Sequence, residues 1–192
     1  MKNILISTAV ALSAVAVPTA AFAQARPAIL IVDSERILSS CTACKSASTQ
    51  LQSKQAALRT RAQQLQTQLQ TEGKPIQAAV DALNGKDPDA ALTAKIKAFQ
   101  TKEQGAQQEL ATGQQNLEST ARHVQQQIGA KLITIVEQVR ATRGAAIVLS
   151  KNATMANDNA IDVTTDVLTS LNQQLPSVAV TPLPQQTAPQ GR

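Results

Sequence analysis

Apolar residues recur at intervals of seven along the first half of the chain. One series begins at Ile37 and a second begins at Cys41, four residues later. Two apolar series with this offset are typical of the contact seam of a left-handed coiled coil. The first series is Ile37, Cys44, Leu51, Leu58, Leu65 and Ala79, and the second is Cys41, Ala62, Leu69, Ile76 and Leu83. The pattern predicts one amphipathic helix over residues 34–84, begun by a Ser34 cap and kinked at residues 73–75 because of Pro75.

A second helical pattern follows a strong break at residues 84–88. An Asn-Gly pair favours a turn there, Asp87 is a suitable helix cap, and Pro88 suits the first helical position. Apolar residues then recur at helical spacing up to Gly144, which is a typical residue at a helix C-terminus. The pattern predicts a second helix over residues 88–143.

The two predicted helices have nearly equal lengths, about 51 and 56 residues. A chain that reverses between them forms an antiparallel hairpin, an arm over residues 34–143 with its tip near 84–88. We expect its seam to contain Leu51, Leu58, Leu65, Leu69, Ile96, Phe99, Leu110 and Leu117.

Short apolar runs flank the hairpin at both of its ends. Residues 28–32 precede it and residues 145–149 follow it, and β-branched residues in each run favour strands. Because the hairpin returns the chain to its starting point, we expect these strands to pair. Residues 159–163 are a candidate third strand.

A final amphipathic helix is predicted from Thr164, as its cap, to the break at Pro176. The Pro- and Gln-rich residues 176–192 are predicted to be disordered. The resulting fold class is α+β and mostly α, with one domain over residues 24–175. Its base comprises residues 27–33 and 144–175.

The N-terminus has the features of an export signal. Lys2 precedes the apolar residues 4–17, and Ala21 and Ala23 are small residues at the positions that a signal peptidase requires. The apolar run is too short to span a bilayer. We expect cleavage after Ala23, with Ala25 as the alternative, and a mature protein outside the cytoplasm.

Composition indicates that the small base needs other copies of the chain. Two Phe and no Trp or Tyr exclude a bulky aromatic core. A sheet of two or three short strands is marginally stable alone, and its edges can pair with another chain. We expect the following residues at the oligomer base: Ile29, Ile31, Ile147, Leu149 and Ile161.

Charge and aromatic content limit the kinds of partner that the chain can bind. The mature chain, which lacks Lys2 of the signal peptide, has 17 basic and 13 acidic side chains. This mild excess of positive charge is compatible with weak contact with an anionic membrane surface. Residues 72–102 at the arm tip have a net charge of only +1, so no lipid site is predicted. Nucleic acid is disfavoured because aromatic residues for base stacking are almost absent.

Cys41 and Cys44 form the one motif that suggests chemistry. Residues three apart share a helix face, so a local disulfide is the favoured interpretation, with buried thiols or an inter-subunit bond as alternatives. A redox dithiol would need an alternating strand–helix domain around it. Zinc would need further ligands, and His123, interpreted as a surface helix residue, lies on the other helix. No catalytic residue, metal or cofactor is predicted.

Two sequence blocks, residues 29–38 and 144–171, carry a family resemblance. The first reads ILIVDSERIL, and the second contains VLSKN at residues 148–152 and AIDVTTDVL at residues 160–168. These blocks resemble the Skp (OmpH-like) family of periplasmic chaperones. A strand, a long hairpin, and a strand–strand–helix ending recur in that order in the family.

This resemblance implies a homotrimer in the periplasm, whose base strands form a central β-barrel. Three arms would then project around a cavity that holds unfolded outer-membrane proteins without ATP. No catalytic residues are implied, and the client contacts are diffuse.

Two other functions compete with this one. A structural or adaptor coiled coil of the cell envelope would favour a continuous seam, whereas Gln55, Glu72, Pro75 and Gly113 interrupt this one. Adaptors of export pumps also carry lipoyl and barrel domains, for which the chain has no room. A dithiol oxidoreductase would depend on the two cysteines.

Overall fold

A computed structural model describes residues 29–183 of the chain. The predicted signal peptide, residues 1–23, lies outside these described residues, as do residues 184–192. The elements are β1 (Ile29–Val32), α1 (Ser34–Ser40), α2 (Thr42–Asp81), α3 (Ala90–Arg143), β2 (Ile147–Ser150) and α4 (Thr164–Gln174). Two short 3-10 turns, Lys151–Ala153 and Asn159–Ile161, lie between β2 and α4.

The predicted helical hairpin is confirmed. It consists of α2, with 40 residues, and α3, with 54 residues, which pack against each other. At 1.5 Å per residue, these helices are about 60 and 80 Å long. α2 continues through Pro75, and the kink at residues 73–75 stays a prediction. α3 ends at Gly144, whose φ of 66° is the left-handed conformation that the C-cap prediction requires.

The turn at the arm tip lies where it was predicted, but the residue that caps the following helix, α3, differs from the predicted one. Asn84 and Gly85 have positive φ angles of 49° and 86°, which reverse the chain. Asp89, and not Asp87, caps α3, because its carboxylate accepts a hydrogen bond from the Leu92 N–H at 2.7 Å. Pro88 therefore precedes the helix instead of occupying its first position.

The first predicted helix is interrupted once, at Cys41. The backbone there is extended, with φ −65° and ψ 137°, so the helix of residues 34–84 becomes α1 and α2. The seven-residue pattern does not detect this break because Cys41 remains on the apolar face. Asp33 caps α1 through the Arg36 N–H at 2.9 Å, which corrects the prediction of Ser34 as the cap.

The predicted pairing of the two strands is confirmed. β1 and β2 are parallel, and Ile29 is the partner of Ile147 while Ile31 is the partner of Leu149. The hairpin is the crossover that a parallel pair requires.

The predicted third strand is wrong. Asn159–Ile161 form a 3-10 turn, which is stabilised because the Asp158 carboxylate accepts a hydrogen bond from the Ala160 N–H. Only one bridge, between Ile31 and Asp162, remains of the expected strand.

The core lies at the foot of the hairpin, where the sheet, α1 and α4 meet the helix ends. Its fully buried side chains include Leu30, Ile37, Ile135, Val167 and Leu171. α4 begins at Thr164, after an N-cap at Val163, so Thr164 is not the cap that we predicted. Its hydroxyl oxygen instead accepts a hydrogen bond from the Asp33 N–H at 2.9 Å and ties α4 to the start of α1.

The tail is ordered at its beginning, contrary to the prediction of disorder from residue 176. Residues 176–183 follow α3 back along the arm, and Val180 is buried at 8% exposure. Two hydrogen bonds between Gln127 and the backbone of Ala179 hold the segment in place. Composition could not show this order, because it depends on contacts between residues about fifty positions apart. Within residues 29–183, no helix combines the length and apolar character needed to cross a membrane.

Candidate functional site

The base presents an apolar face to solvent. Ile29, Ile147 and Leu149 are 41%, 45% and 36% exposed, and the strand register places Ile29 beside Ile147. Two other residues that we predicted at the oligomer base are less exposed than these three. Ile31 is buried within the protomer at 2% exposure, and Ile161 is half-buried.

The two outer edges of this small sheet are not equivalent. The outer edge of β1 is partly covered, because the Val163 N–H donates to the Ile31 carbonyl at 2.9 Å. Within the part of the chain that the structure describes, β2 pairs with β1 alone. Its other edge can therefore accept hydrogen bonds from a further strand.

The arm seam is only partly closed. Leu65 is buried at 9% exposure, whereas the other predicted seam residues are half-buried. These are Leu51, Leu58, Leu69, Ile96, Phe99, Leu110 and Leu117. Two helices cannot enclose a seam on all sides, so apolar surface stays accessible along the arm.

An open apolar groove lies near the arm tip. It is lined by the apolar residues Pro75, Ile76, Leu92 and Phe99, and also by Lys102 and Glu72, which form an ion pair. Further residues that line the groove are Thr71, Ala79, Lys95 and Ala98. The groove therefore offers an apolar contact surface near the arm tip.

One exposed ion pair joins the two helices in the middle of the arm. The guanidinium of Arg61 donates to both carboxylate oxygens of Glu109, at 2.6 and 3.1 Å. This hydrogen bonding lowers the pKa of Glu109 and raises the pKa of Arg61. Exposed pairs of this kind contribute little to stability.

The two cysteines lie in the core at the root of the arm. Cys41 and Cys44 form a disulfide with their Cα atoms 5.2 Å apart, and both side chains are buried in the cluster beneath the arm. The Cys41 sulfur also accepts a hydrogen bond from the Cys44 N–H at 3.0 Å. The bridge therefore closes the first turn of α2 within the core.

His123, which we interpreted as a surface helix residue, lies on α3, is half-buried and contacts the C-terminal segment of the chain. Its Nδ1 lies 3.0 Å from the Thr181 carbonyl oxygen, which can only accept a hydrogen bond, so Nδ1 acts as the donor. Among residues 29–183, no three His, Cys, Asp or Glu side chains are grouped closely enough to hold a metal ion.

The site at which residues 176–183 contact α3 was not predicted from the sequence. Ser119, His123 and Gln127 form this site, together with a hollow between α2 and α3 beneath Pro182. The alternation of apolar residues at Val178 and Val180 was the only signal of it in the sequence.

Comparison with known proteins agrees with this architecture. The family model described as "Outer membrane protein (OmpH-like)" matches residues 28–171. A crystal structure of a protein from Caulobacter crescentus CB15, described as an OmpH-like outer membrane chaperone, superposes with a TM-score of 0.68. The two chains share 22% sequence identity over 83% of this chain and 94% of the other, which shows the common fold.

None of the curated proteins matches this chain at a significant level. The family model, however, covers most of the chain, including both blocks on which the resemblance was based. The predicted family is therefore confirmed, and the chain belongs to the OmpH-like family.

Proposed function

We propose that this protein is an ATP-independent holdase chaperone of the periplasm, which binds unfolded outer-membrane proteins and prevents their aggregation. The observation that carries the proposal is the half-open apolar seam of a long arm rooted on a small base. Membership of the OmpH-like family supports it.

A trimer is the assembly that we propose. Ile29, Ile147 and Leu149 leave an apolar face uncovered, and β2 has an edge that can pair with a strand of a neighbouring copy. Three such strand pairs would close a barrel, which removes exposed edges altogether. Ile31 and Ile161 would then support the base from within each protomer.

The arms of such a trimer would surround a cavity for the client. An unfolded outer-membrane β-barrel exposes unpaired strands and apolar side chains, which aggregate in water. Many weak contacts along Leu51, Leu58, Ile96, Phe99 and Leu110 would shield these strands. Because each contact is weak, release would need no nucleotide, and no step of this function requires enzymatic catalysis or a cofactor.

The test is light scattering from a denatured outer-membrane β-barrel diluted out of urea, with increasing amounts of the mature protein and no nucleotide. We expect suppression that saturates near three subunits per client. Unchanged aggregation at a several-fold excess would contradict the holdase proposal and favour a structural coiled coil of the envelope.

A further inference from the structure

A ladder of polar side chains on α3 holds the backbone of the chain's own C-terminal strap, residues 178–183. Gln127 bonds Ala179 twice, because its Nε2 donates to the Ala179 carbonyl at 3.0 Å and its Oε1 accepts from the Ala179 N–H at 2.9 Å. His123 donates to the Thr181 carbonyl, and the Ser119 hydroxyl oxygen accepts from the Leu183 N–H at 3.0 Å. All four bonds involve backbone groups of the strap.

The spacing of the ladder matches that of an extended peptide. Residues 119, 123 and 127 are four apart, which corresponds to about 6.0 Å along a helix. The bonded strap residues 179, 181 and 183 are two apart, about 6.6 Å in an extended chain. Successive side chains of the ladder therefore meet every second residue of the strap, which runs antiparallel to α3.

The intervening strap residues make the apolar contacts. Val180 is buried at 8% exposure, and Val178 packs against the core cluster. Pro182 lies against the hollow between the helices, which includes Leu58, Gly113 and Leu117. Pro182 has no N–H, and the ladder uses none at that position, so it is tolerated.

We propose that the ladder and hollow form a binding site for an extended polypeptide with apolar side chains at alternate positions, and that the strap occupies it as an internal competitor. This inference rests on the proposed holdase function, because strands of outer-membrane β-barrels alternate in this way. Recognition through the backbone accepts many sequences. The site lies within residues 28–171 that the family model matches, whereas the strap lies beyond them.

The test uses a fluorescein-labelled peptide with the sequence of residues 177–183, SVAVTPL, and fluorescence anisotropy with the full mature chain. Val180→Asp places a charge where a buried apolar side chain lies, and so should release the strap. We expect the dissociation constant of the peptide to be about tenfold lower for this variant than for the wild type.

Matched variants define the site. Ser177→Asp adds the same charge at an exposed position just before the strap and should bind the peptide as the wild type does. Gln127→Ala added to Val180→Asp should weaken binding about tenfold, because it removes two of the four backbone bonds. A peptide with Asp in place of Val180 should bind to neither protein.

Equal peptide binding by the wild type and by a folded Val180→Asp variant would overturn the inference and leave the strap as a structural brace. Val180→Ser, a milder change, provides the same comparison if circular dichroism shows that the aspartate variant has lost its helices. Because the probe is the chain's own sequence, the result does not depend on client aggregation. Peptide binding as expected, without suppression of β-barrel aggregation, would contradict the proposed function alone.

Discussion

Cys41 is the residue at which the chain leaves α1 and begins α2. Its sulfur forms the disulfide with Cys44 and also accepts the Cys44 N–H. The bridge closes a loop of only four residues. A loop this short restricts the unfolded chain modestly, by about 2 kcal/mol in the chain-entropy model.

Replacing both cysteines with serine should therefore lower stability without removing function. We expect the free energy of unfolding of Cys41→Ser with Cys44→Ser to fall by about 2 kcal/mol, measured by urea unfolding with circular dichroism. Suppression of β-barrel aggregation should persist. Wild-type protein treated with a reductant is the matched control. Complete loss of client binding in an intact trimer would show that the dithiol participates directly.

Asp162 is an acidic residue of the base whose pKa is lowered by contacts in the folded chain. Partial burial acts to raise the pKa of Asp162, but hydrogen bonds from Thr164 and Lys151 outweigh it and lower the pKa. Its carboxylate accepts from the Thr164 N–H at 2.9 Å and from the Lys151 ammonium at 3.2 Å. The charged form is therefore favoured in the folded state.

Asp162→Asn should remove a contribution to stability that depends on pH. A lowered folded-state pKa stabilises the fold above the unfolded pKa of about 4, and this contribution disappears as pH falls through the folded value. We expect the variant to lose about 1 kcal/mol at pH 7, and its difference from the wild type to shrink as pH falls through the lowered folded-state pKa of Asp162. Urea unfolding at several pH values measures this. Asp87→Asn, at the exposed arm tip, is the control and should be as stable as the wild type at pH 7. A difference between Asp162→Asn and the wild type that does not shrink as pH falls would contradict the prediction.

At the scale of the elements, close approach of the two arm helices is concentrated at a few small residues. A Cβ atom at Gly113 would lie 2.6 Å from Leu58 Cδ1, whereas a Cβ at Gly105 would meet nothing within 4 Å. Both glycines are inside α3. Comparing an alanine substitution at Gly105 with one at Gly113 therefore separates the effect of helix propensity on stability from the effect of packing between the two helices.

Gly105→Ala should stabilise the arm by about 0.5–1 kcal/mol, because alanine loses less backbone entropy in a helix than glycine does. Gly113→Ala should gain less, since the Leu58 side chain must move to make room. Urea midpoints of the two variants give the comparison directly. A larger gain for Gly113→Ala would mean that α2 and α3 are not in close contact at this level of the arm.

At the scale of the whole molecule, the base strands decide whether the arms form a cage. Ile147 is 45% exposed in the protomer, so Ile147→Asp should leave the fold of a single chain intact. In the proposed barrel the same side chain would be buried, and an unpaired charge there is costly. We expect this variant to be monomeric by sedimentation velocity.

Ala91→Asp is the control for this experiment, because it adds the same charge at an exposed position at the opposite end of the arm. It should sediment as the wild type does. A trimer that survives Ile147→Asp would place the oligomer contact elsewhere on the molecule.

Most of the architecture could be predicted from local pattern. The apolar periodicity of residues 34–143 determined the hairpin, its break at residues 84–88 and the C-cap at Gly144, since these features depend on neighbours within a few turns. The flanking apolar runs indicated β1 and β2, and the near-equal helix lengths indicated that they pair. Family membership was also evident from residues 29–38 and 144–171.

Other features depended on side-chain competition that a pattern does not reveal. Cys41 fits the apolar face whether or not the helix continues through it, so the periodicity could not locate the break. Residues 159–163, which include Ile161 and Val163, suggested a strand. The carboxylates of Asp158 and Asp162 instead accept hydrogen bonds from nearby backbone N–H groups and favour a turn.

The sequence by itself determined the long hairpin, the paired base strands and the family, because local periodicity and short motifs specify them. Only the tertiary structure decided the course of the strap. The backbone groups of Ala179, Thr181 and Leu183 find their partners on α3, between 52 and 64 residues away. Contacts over that distance depend on the tertiary arrangement, in which side chains four residues apart on a helix face every second residue of an extended chain.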